Sequence, residues 1–581
     1  MSDYFSPTMR LYVEKLVDWK RHLQLLHGGE PDVAAELGAY RTVLETTAAL
    51  AGSFERRARE HWHDEAELLP DGGAQPPAHI RDAYDQLREA GLVSLLVSDT
   101  YGGAALPGLL NGMYLEMVSR ADTSLMTVVG LQAGVAGDIE KYASNELKAK
   151  WLPRLTSGEV QGAMDLTEPK AGSDLGGIST RATDQSDGSV RVDGSKIFIT
   201  NGGAEVHLVL ARDGDNFDQS KGTTNGLSLV LVARHNDDGS RNGIRVARLE
   251  KKLGIHGSPT AEVVFENAIG VRLGTKGQGF RAMLDLMNNA RLGVAAQGIG
   301  IAAAAFHDAN HYANSREQFG QAIGKQPLVL SMLSKMATNI EAARALLYRT
   351  FALLDYNIAR EAALRRGDLA PGEAERMRAT LENDQIRLRL LTPLCKYYAT
   401  EICHDVTRDA MQVYGGIGYT MDADVAKLHA DSLIMTVYEG TSEIQASFAL
   451  REMGKGALGV ALAQLKDELG AMRSDAKRAE LAKLIDASLG RIQECAQVLF
   501  TDLPYALLRA KMIAEMVINA KCGAELLRQV GADETRLDLA EAFIRRRVIE
   551  SESIARRIEL NHVGRLERDA RILAGYTAHA G

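Results

Sequence analysis

The order of periodicities along the chain predicts an α+β protein: a helical stretch, a β domain, then a second helical stretch. Three observations carry this. Apolar residues recur at helical spacing over most of the first 160 positions, as in Thr42–Ala58, Ile80–Ala90 and Leu109–Ile139. Near residue 160 the period becomes two. SVRVDGSKIFIT from Ser189 alternates like a strand around a turn at Asp193-Gly194, and HLVLA (from His207), LSLVLVA (Leu227), IRVARLE (Ile244) and AEVVFEN (Ala261) follow between polar, Gly-rich loops. Helical spacing returns at Phe280 and holds to the end. Strands and helices do not alternate, which argues against a doubly wound parallel sheet.

The punctuation supports the same division. Glu67–Pro77, carrying LLPDGGAQPP, reads as a loop, and RRGDLAPGEAE from Arg365 as a helix–helix turn. The first residues, to about position 40, are expected to form a helix packed on the core. The 581 residues leave room for about three to five domains. With 45% hydrophobic and 25% charged residues the chain is an ordinary globular one, not a disordered or fibrous one.

Charge and cysteines exclude further classes. Sixty-seven Lys plus Arg against 76 Asp plus Glu leave a net charge of −9, a poor footprint for nucleic acid. Cys395, Cys403, Cys495 and Cys522 form no C-x-x-C pair, so a zinc ribbon and a disulfide framework lose support and a reducing compartment fits. The start, MSDYFSPTMRLYVEKL, lacks a basic segment followed by an apolar run. The longest uncharged apolar stretch, Gly293–Phe306, is too short to span a bilayer and reads as a tightly packed core helix. A cytoplasmic protein without a membrane span is expected.

Several motifs have plain explanations. Gly298–Ala303 matches G-x-G-x-x-A, but no strand precedes it, so close helix packing is the better reading. His61 and His63 have no third ligand nearby in sequence, and no metal site is expected. HExxH, G-x-S-x-G and P-loop motifs are absent. The arginines from Arg545 to Arg571 interleave with Glu550, Glu552, Glu559 and Glu567; residues 451–581 hold 21 basic against 19 acidic side chains, as expected of a solvated helix face.

Three segments invite chemistry. Leu166–Asp174 (LTEPKAGSD) can turn backbone N–H groups and hydroxyls toward a ligand, or be a generic turn. Tyr414–Tyr419 (YGGIGY) lets backbone approach something flat, or simply joins two helices. In Tyr438–Gln445 (YEGTSEIQ), Ser442 and Gln445 have capping-box spacing, predicting a helix start near Ser442 and placing Glu439 in the turn before it. The helix N-terminus favours a carboxylate there and burial opposes it, so Glu439 is a candidate general base, or an acidic ornament of the terminus.

Together with KIFITNGG (Lys196–Gly203) and REQFGQ (Arg316–Gln321), these segments stand in the order found in the acyl-CoA dehydrogenase family, which the chain resembles over residues 80–453. EKKLGIHGSPT (Glu250–Thr260) and MNNARL (Met287–Leu292) are most similar to the long bacterial branch that includes the methylthiopropanoyl-CoA dehydrogenases, with its extra C-terminal helical domain. The resemblance divides the chain into an N-terminal helical domain (1–160), a middle β domain (161–275), a C-terminal helical bundle (276–453) and an additional helical domain (454–581).

The resemblance also implies a chemistry. FAD binds without a Rossmann fold. Glu439 removes the α-proton of an acyl-CoA thioester, the β-hydride passes to flavin N5, and the product is the trans-2-enoyl-CoA. Thr167 matches a contact to the flavin pyrimidine edge, Phe198 a stacking aromatic, and Thr200 a hydroxyl beside N5. Ser173 matches a residue near the pyrophosphate and the acyl-CoA, and Thr441 an FAD contact after the base. Arg316, Phe319, Gln412 and Gly416 would reach the partner's FAD in a homodimer. Arg291, Tyr438 and Gly440 would contact substrate. Electron transfer flavoprotein would accept the electrons. An acyl-CoA oxidase of the same fold and a non-catalytic, nucleic-acid-binding member are the alternatives. The acyl group stays open.

Overall fold

The computed structural model describes residues 3–560 and 564–577. They form two compact units, one of residues 3–5, 38–309 and 410–435, the other of residues 6–37, 310–409 and those from 436 on.

The first unit is built on a barrel of strands β1 (Gly162–Asp165), β2 (Arg181–Asp184), β3 (Val190–Ile199), β4 (Val206–Asp213), β5 (Leu227–Ala233), β6 (Ile244–Leu249) and β7 (Ala261–Leu273). Antiparallel pairing runs from β2 to β3, β7, β5 and β4. The ring closes where Arg212 and Asp213 of β4 lie parallel to Arg181 and Ala182 of β2. β1 pairs parallel with the other end of β4, and β6 pairs antiparallel with the first half of β7. Closure satisfies backbone groups that an open sheet would expose at its edges. Val190, Val192, Val209, Val230, Val232, Val263 and Phe265 share one buried cluster. The alternate residues Leu208, Leu210, Leu229 and Leu231 pack instead with Val135, Ile139, Trp151 and Leu155 of helices Thr123–Tyr142 and Asn145–Thr156. Strand β4 is therefore buried on both faces, which is why it is a continuous apolar run and not an alternating one.

Some expectations change. Asp193-Gly194 is not a turn but an irregularity inside one strand, where the register against β7 shifts. A Cβ on Gly194 would lie 2.5 Å from Thr180 Oγ1, so the close crossing demands glycine. The helical run Leu109–Ile139 is two helices, Gly108–Ala121 and Thr123–Tyr142. They are split at Asp122, whose carboxylate accepts from Ser124 N (2.8 Å) and Leu125 N (3.0 Å) as an N-cap. Glu67–Pro77 contains a small hairpin, Glu67–Leu68 against Ala74–Gln75. Gly293–Phe306 lies, as expected, inside one helix, Gly279–Ser315; a Cβ on Gly300 would come within 2.5 Å of Glu116 O. The G-x-G-x-x-A match is thus helix packing.

The second unit is all helical in its long elements. Helix Pro327–Arg366 ends at Gly367, whose φ of 74° reverses the chain before helix Pro371–Tyr414. Helices Ser442–Glu452, Leu458–Met472, Ala476–Leu499, Ala510–Ala532, Leu537–Leu560 and Arg565–Thr577 follow. The first residues pack here as a helix, as expected: Trp19–His27 lies on Pro327–Arg366. Tyr12 is fully buried, its hydroxyl donating to Ala345 O (3.2 Å) and to the Glu525 carboxylate. The arginine-rich stretch is only partly a solvated face. Arg546 turns inward to Asn339 Oδ1 (2.5 Å), and Arg547 reaches the buried Tyr398 hydroxyl (3.5 Å) while pairing with Glu550 on its own helix (2.5 Å). All four cysteines are buried and none is in a disulfide. Among the described residues no helix is long and apolar enough to cross a membrane, and no group of three or more His, Cys, Asp or Glu is placed to hold a metal ion.

Candidate functional site

In the first unit Thr167 and Ser173 lie on the loop that leaves β1, and Ile197 of the Phe198 bulge bonds to that loop. Glu168 and Ala171 exchange both backbone hydrogen bonds, each 3.0 Å, closing a tight turn with Pro169 and Lys170 at its tip. The Glu168 carboxylate is buried and accepts from Ser179 N (2.8 Å), Ser179 Oγ (2.7 Å), Thr180 N (3.0 Å) and Lys196 Nζ (2.9 Å). Burial opposes its charge, but Lys196 and these donors prevail and bring its pKa down to about 2. Lys196, with no exposed surface, also donates to Leu166 O (3.0 Å) and Leu210 O (2.7 Å). One ammonium thus ties the loop to two strands. Sequence reasoning quoted both residues within motifs and gave neither a role; the signal was a Glu and a Lys inside two motifs that had to meet.

Thr167, half-buried, accepts from Ile197 N (2.9 Å) through its carbonyl, because β3 leaves its register against β7 between Lys196 and Ile199. Phe198 sits in that bulge at φ 60° with 59% of its surface exposed. A left-handed backbone costs a non-glycine residue about 1–2 kcal/mol, and an exposed ring returns little of it by burial. Asn201 is also left-handed, at φ 56°, a conformation asparagine tolerates, and its amide donates to Gln161 Oε1 (3.0 Å) and Gly162 O (3.3 Å). Thr200 lies between them, half-buried, and Ser173 is exposed on the loop. The structure therefore brings Thr167 beside the Phe198 bulge.

Gln412 and Gly416 are exposed at the end of helix Pro371–Tyr414. Of the three glycines there, Gly415 has φ 65°, and a Cβ on Gly418 would meet Met411 O at 2.8 Å. Gly416 has neither reason and leaves open space where its side chain would be. Arg291 is buried on helix Gly279–Ser315, with Nη1 donating to Asn288 Oδ1 (2.9 Å).

In the second unit Phe319 and Gly320 form the two-residue turn of a hairpin, Glu317–Gln318 against Gln321–Ala322. Both have positive φ, 56° and 79°, as such tight hairpin turns require. Phe319 is 93% exposed at the tip, and Arg316 is exposed at the base.

Glu439 lies in the turn before helix Ser442–Glu452, as expected, and is half-buried. The capping box is not formed. The N-cap is Thr441, whose Oγ1 accepts from Ile444 N (3.3 Å), and the Ser442 hydroxyl donates to the Glu401 carboxylate. Gln445 instead turns its amide to Glu439 O (2.7 Å), and the buried Lys396 donates to Gly440 O (2.8 Å). Glu439 is held at φ 56° and Gly440 at φ 91°, where a Cβ would lie 2.7 Å from Gln445 Nε2. Two buried side chains thus hold the backbone of a carboxyl-bearing residue on a strained turn. Tyr438 beside it is half-buried. Gln445 was legible only as a capping residue, and Lys396 carried no motif.

The chain matches the N-terminal domain of acyl-CoA dehydrogenases over residues 45–159, the middle domain over 163–268 and the C-terminal domain over 277–365 and 374–454. It is 33% identical over 431 residues to 3-methylmercaptopropionyl-CoA dehydrogenase of Ruegeria pomeroyi, covering 71% of this chain and 70% of that protein. The structure of butyryl-CoA dehydrogenase from Megasphaera elsdenii superposes with a TM-score of 0.59 at 28% identity, over 71% of this chain and 96% of the other. An acyl-CoA dehydrogenase from Bacillus anthracis, complexed with FAD, shares the fold at a TM-score of 0.74 and 24% identity, over 90% of this chain and 88% of the other. The three matched domains and the Ruegeria relative settle the identity: this chain belongs to the acyl-CoA dehydrogenase family of FAD-using oxidoreductases.

Proposed function

We propose that the chain dehydrogenates an acyl-CoA thioester to its trans-2-enoyl-CoA, with Glu439 as the base that removes the α-proton. The observation that carries the reading is the Glu439 turn. The residue is half-buried and strained, and its carbonyl is held by Gln445 at 2.7 Å. An α-C–H is a very weak acid in water. A carboxylate can take its proton only if the developing enolate oxygen is met by fixed donors in a dry site. The bonds to Glu439 O and Gly440 O hold the backbone on the C-terminal side of Glu439, and with it the turn that carries the carboxyl.

The first-unit residues fit a flat, partly polar ring system. Phe198 offers an exposed ring on the bulge, and Thr167 and Thr200 would add hydroxyl contacts to the cofactor. When bound there, FAD supplies the acceptor for the β-hydride. Ser173 and Thr441 would add contacts to cofactor, and Arg291, Tyr438 and Gly440 to substrate. In a homodimer, Arg316, Phe319, Gln412 and Gly416 of one subunit would serve the partner's cofactor, which gives the exposed Phe319 tip an occupation. Electron transfer flavoprotein is the proposed acceptor and the cytoplasm the proposed compartment. The Ruegeria relative is named for a sulfur-bearing acyl group, so that thioester belongs in the first substrate panel beside straight-chain and branched ones.

The test is anaerobic mixing of the FAD-loaded protein with CoA thioesters. The wild type bleaches. Glu439→Gln keeps its flavin and loses bleaching by about 100- to 10,000-fold. Undiminished bleaching in the variant overturns the assignment.

A further inference from the structure

We propose that the second unit carries an internal binding site for a small oxyanion of phosphate or sulfate size, formed by Arg349, Arg387 and Lys521. These side chains line a small, partly open cleft between helices Pro327–Arg366, Pro371–Tyr414, Leu458–Met472 and Ala510–Ala532. Gln464, Glu468 and Glu525 complete its polar wall.

The charges around the cleft do not balance. Glu525 is held by both arms of Arg528 (2.8 and 2.6 Å) and by the Tyr12 hydroxyl, and reaches Arg349 only at 3.9 Å. Glu468 accepts from Arg349 (3.3 Å) and Gln464 (2.6 Å). Asp384, behind the wall, is shared by Arg360 (2.5 Å) and Arg387 (2.6 Å). In the lining itself Arg349, Arg387 and Lys521 stand against two carboxylates, Glu468 and Glu525. Two donors remain unspent. Lys521 Nζ has only the neutral amide oxygen of Gln464 at 3.3 Å, and Arg387 Nε is buried with no acceptor. A buried donor left without a partner costs about 1–3 kcal/mol, more when charged.

Burial, and Arg387 beside it, push the Lys521 ammonium down to about 7. An anion seated between Lys521, Arg387 Nε and Arg349 would supply the missing charge and accept all three donors. A guanidinium fork with an ammonium suits a tetrahedral oxyanion better than a spherical halide. None of these residues belongs to the Glu439 turn or to the Phe198 bulge, so the site is separate from the chemistry proposed above.

The experiment is calorimetric titration of the full, FAD-loaded chain at low ionic strength with inorganic phosphate, sulfate and chloride. Phosphate or sulfate should bind saturably, one ion per chain, and chloride should not. Lys521→Met and Arg387→Met should weaken binding about tenfold or more, while Lys483→Met, on an exposed position, leaves it unchanged. At about pH 8 binding should draw a proton onto Lys521, seen as a heat that varies with the buffer's ionisation enthalpy. This readout needs only the wild type, so it holds even where a variant fails to fold. Absence of saturable binding, an affinity unchanged in Lys521→Met, or displacement of phosphate by free CoA, which would put the ion at the substrate site, each overturns the proposal.

Discussion

Lys196→Met removes a buried ammonium and leaves a side chain of similar reach. In the wild type Lys196 bonds Leu166 O at 3.0 Å, Glu168 Oε1 at 2.9 Å and Leu210 O at 2.7 Å, and none of its surface is exposed. Breaking one partner out of a buried pair costs about 3–5 kcal/mol. The Ser179 and Thr180 donors that Glu168 keeps favour the lower end. Acid titration gives a second measure. A carboxyl lowered from 4.5 to about 2 corresponds to about 3 kcal/mol of stability. Because this pKa is depressed in the folded state, the contribution is complete above 4.5 and is lost as pH falls toward 2. Lys196→Met should therefore destabilise the first unit by about 3 kcal/mol at neutral pH and flatten this acid limb. A large chain does not unfold in one step, so the assay needs a local probe. Trp151 packs in the cluster that covers the barrel, and Trp19→Phe with Trp62→Phe makes it the sole tryptophan, excited selectively at the red edge of the absorption band. Denaturant midpoints at several pH values then read both effects. A loss below about 1 kcal/mol, or an acid limb as steep as in the wild type, would refute the latch.

Two further outcomes follow from the strained turns. Phe198→Asn gives up an exposed ring and gains a residue that tolerates the left-handed backbone. The apoprotein should gain a few tenths to about 1 kcal/mol while FAD affinity falls about tenfold, checked by thermal unfolding and by flavin fluorescence titration. Gln445→Leu preserves volume and removes the bond to Glu439 O. Flavin reduction should slow about tenfold to a hundredfold, matching 1–3 kcal/mol, with FAD binding unchanged, as rapid mixing will show.

The helix–strand–helix order was legible because buried strands and amphipathic helices carry different periods. The closing of the strands into a barrel was not, since closure rests on only two paired positions, Arg212 with Arg181 and Asp213 with Ala182. Asp193-Gly194 looked like a turn because Gly and Asp favour turns. In fact the glycine answers to the Thr180 backbone crossing it, a long-range fact no window contains. Glu439 could be singled out from its position before a helix. Its strain and its anchors could not, because Lys396 comes from a helix far away in sequence and Gln445 serves the turn's carbonyl instead of the Ser442 cap. The Lys196–Glu168 pair was visible as two letters in two motifs and became a latch only once the loop and β3 were placed side by side.

The burial of Tyr12 against Glu525 joins positions 513 residues apart. At about 5–20 residues per second, a ribosome needs roughly half a minute to nearly two minutes to make that intervening chain. The opening helices emerge among the earliest segments and reach their seat among the last. Until helix Ala510–Ala532 is synthesised, the Tyr12 hydroxyl lacks its Glu525 partner on the nascent chain. That interval is when holding chaperones have most to offer this polypeptide, and a tag or fusion placed ahead of Ser6 would act during it.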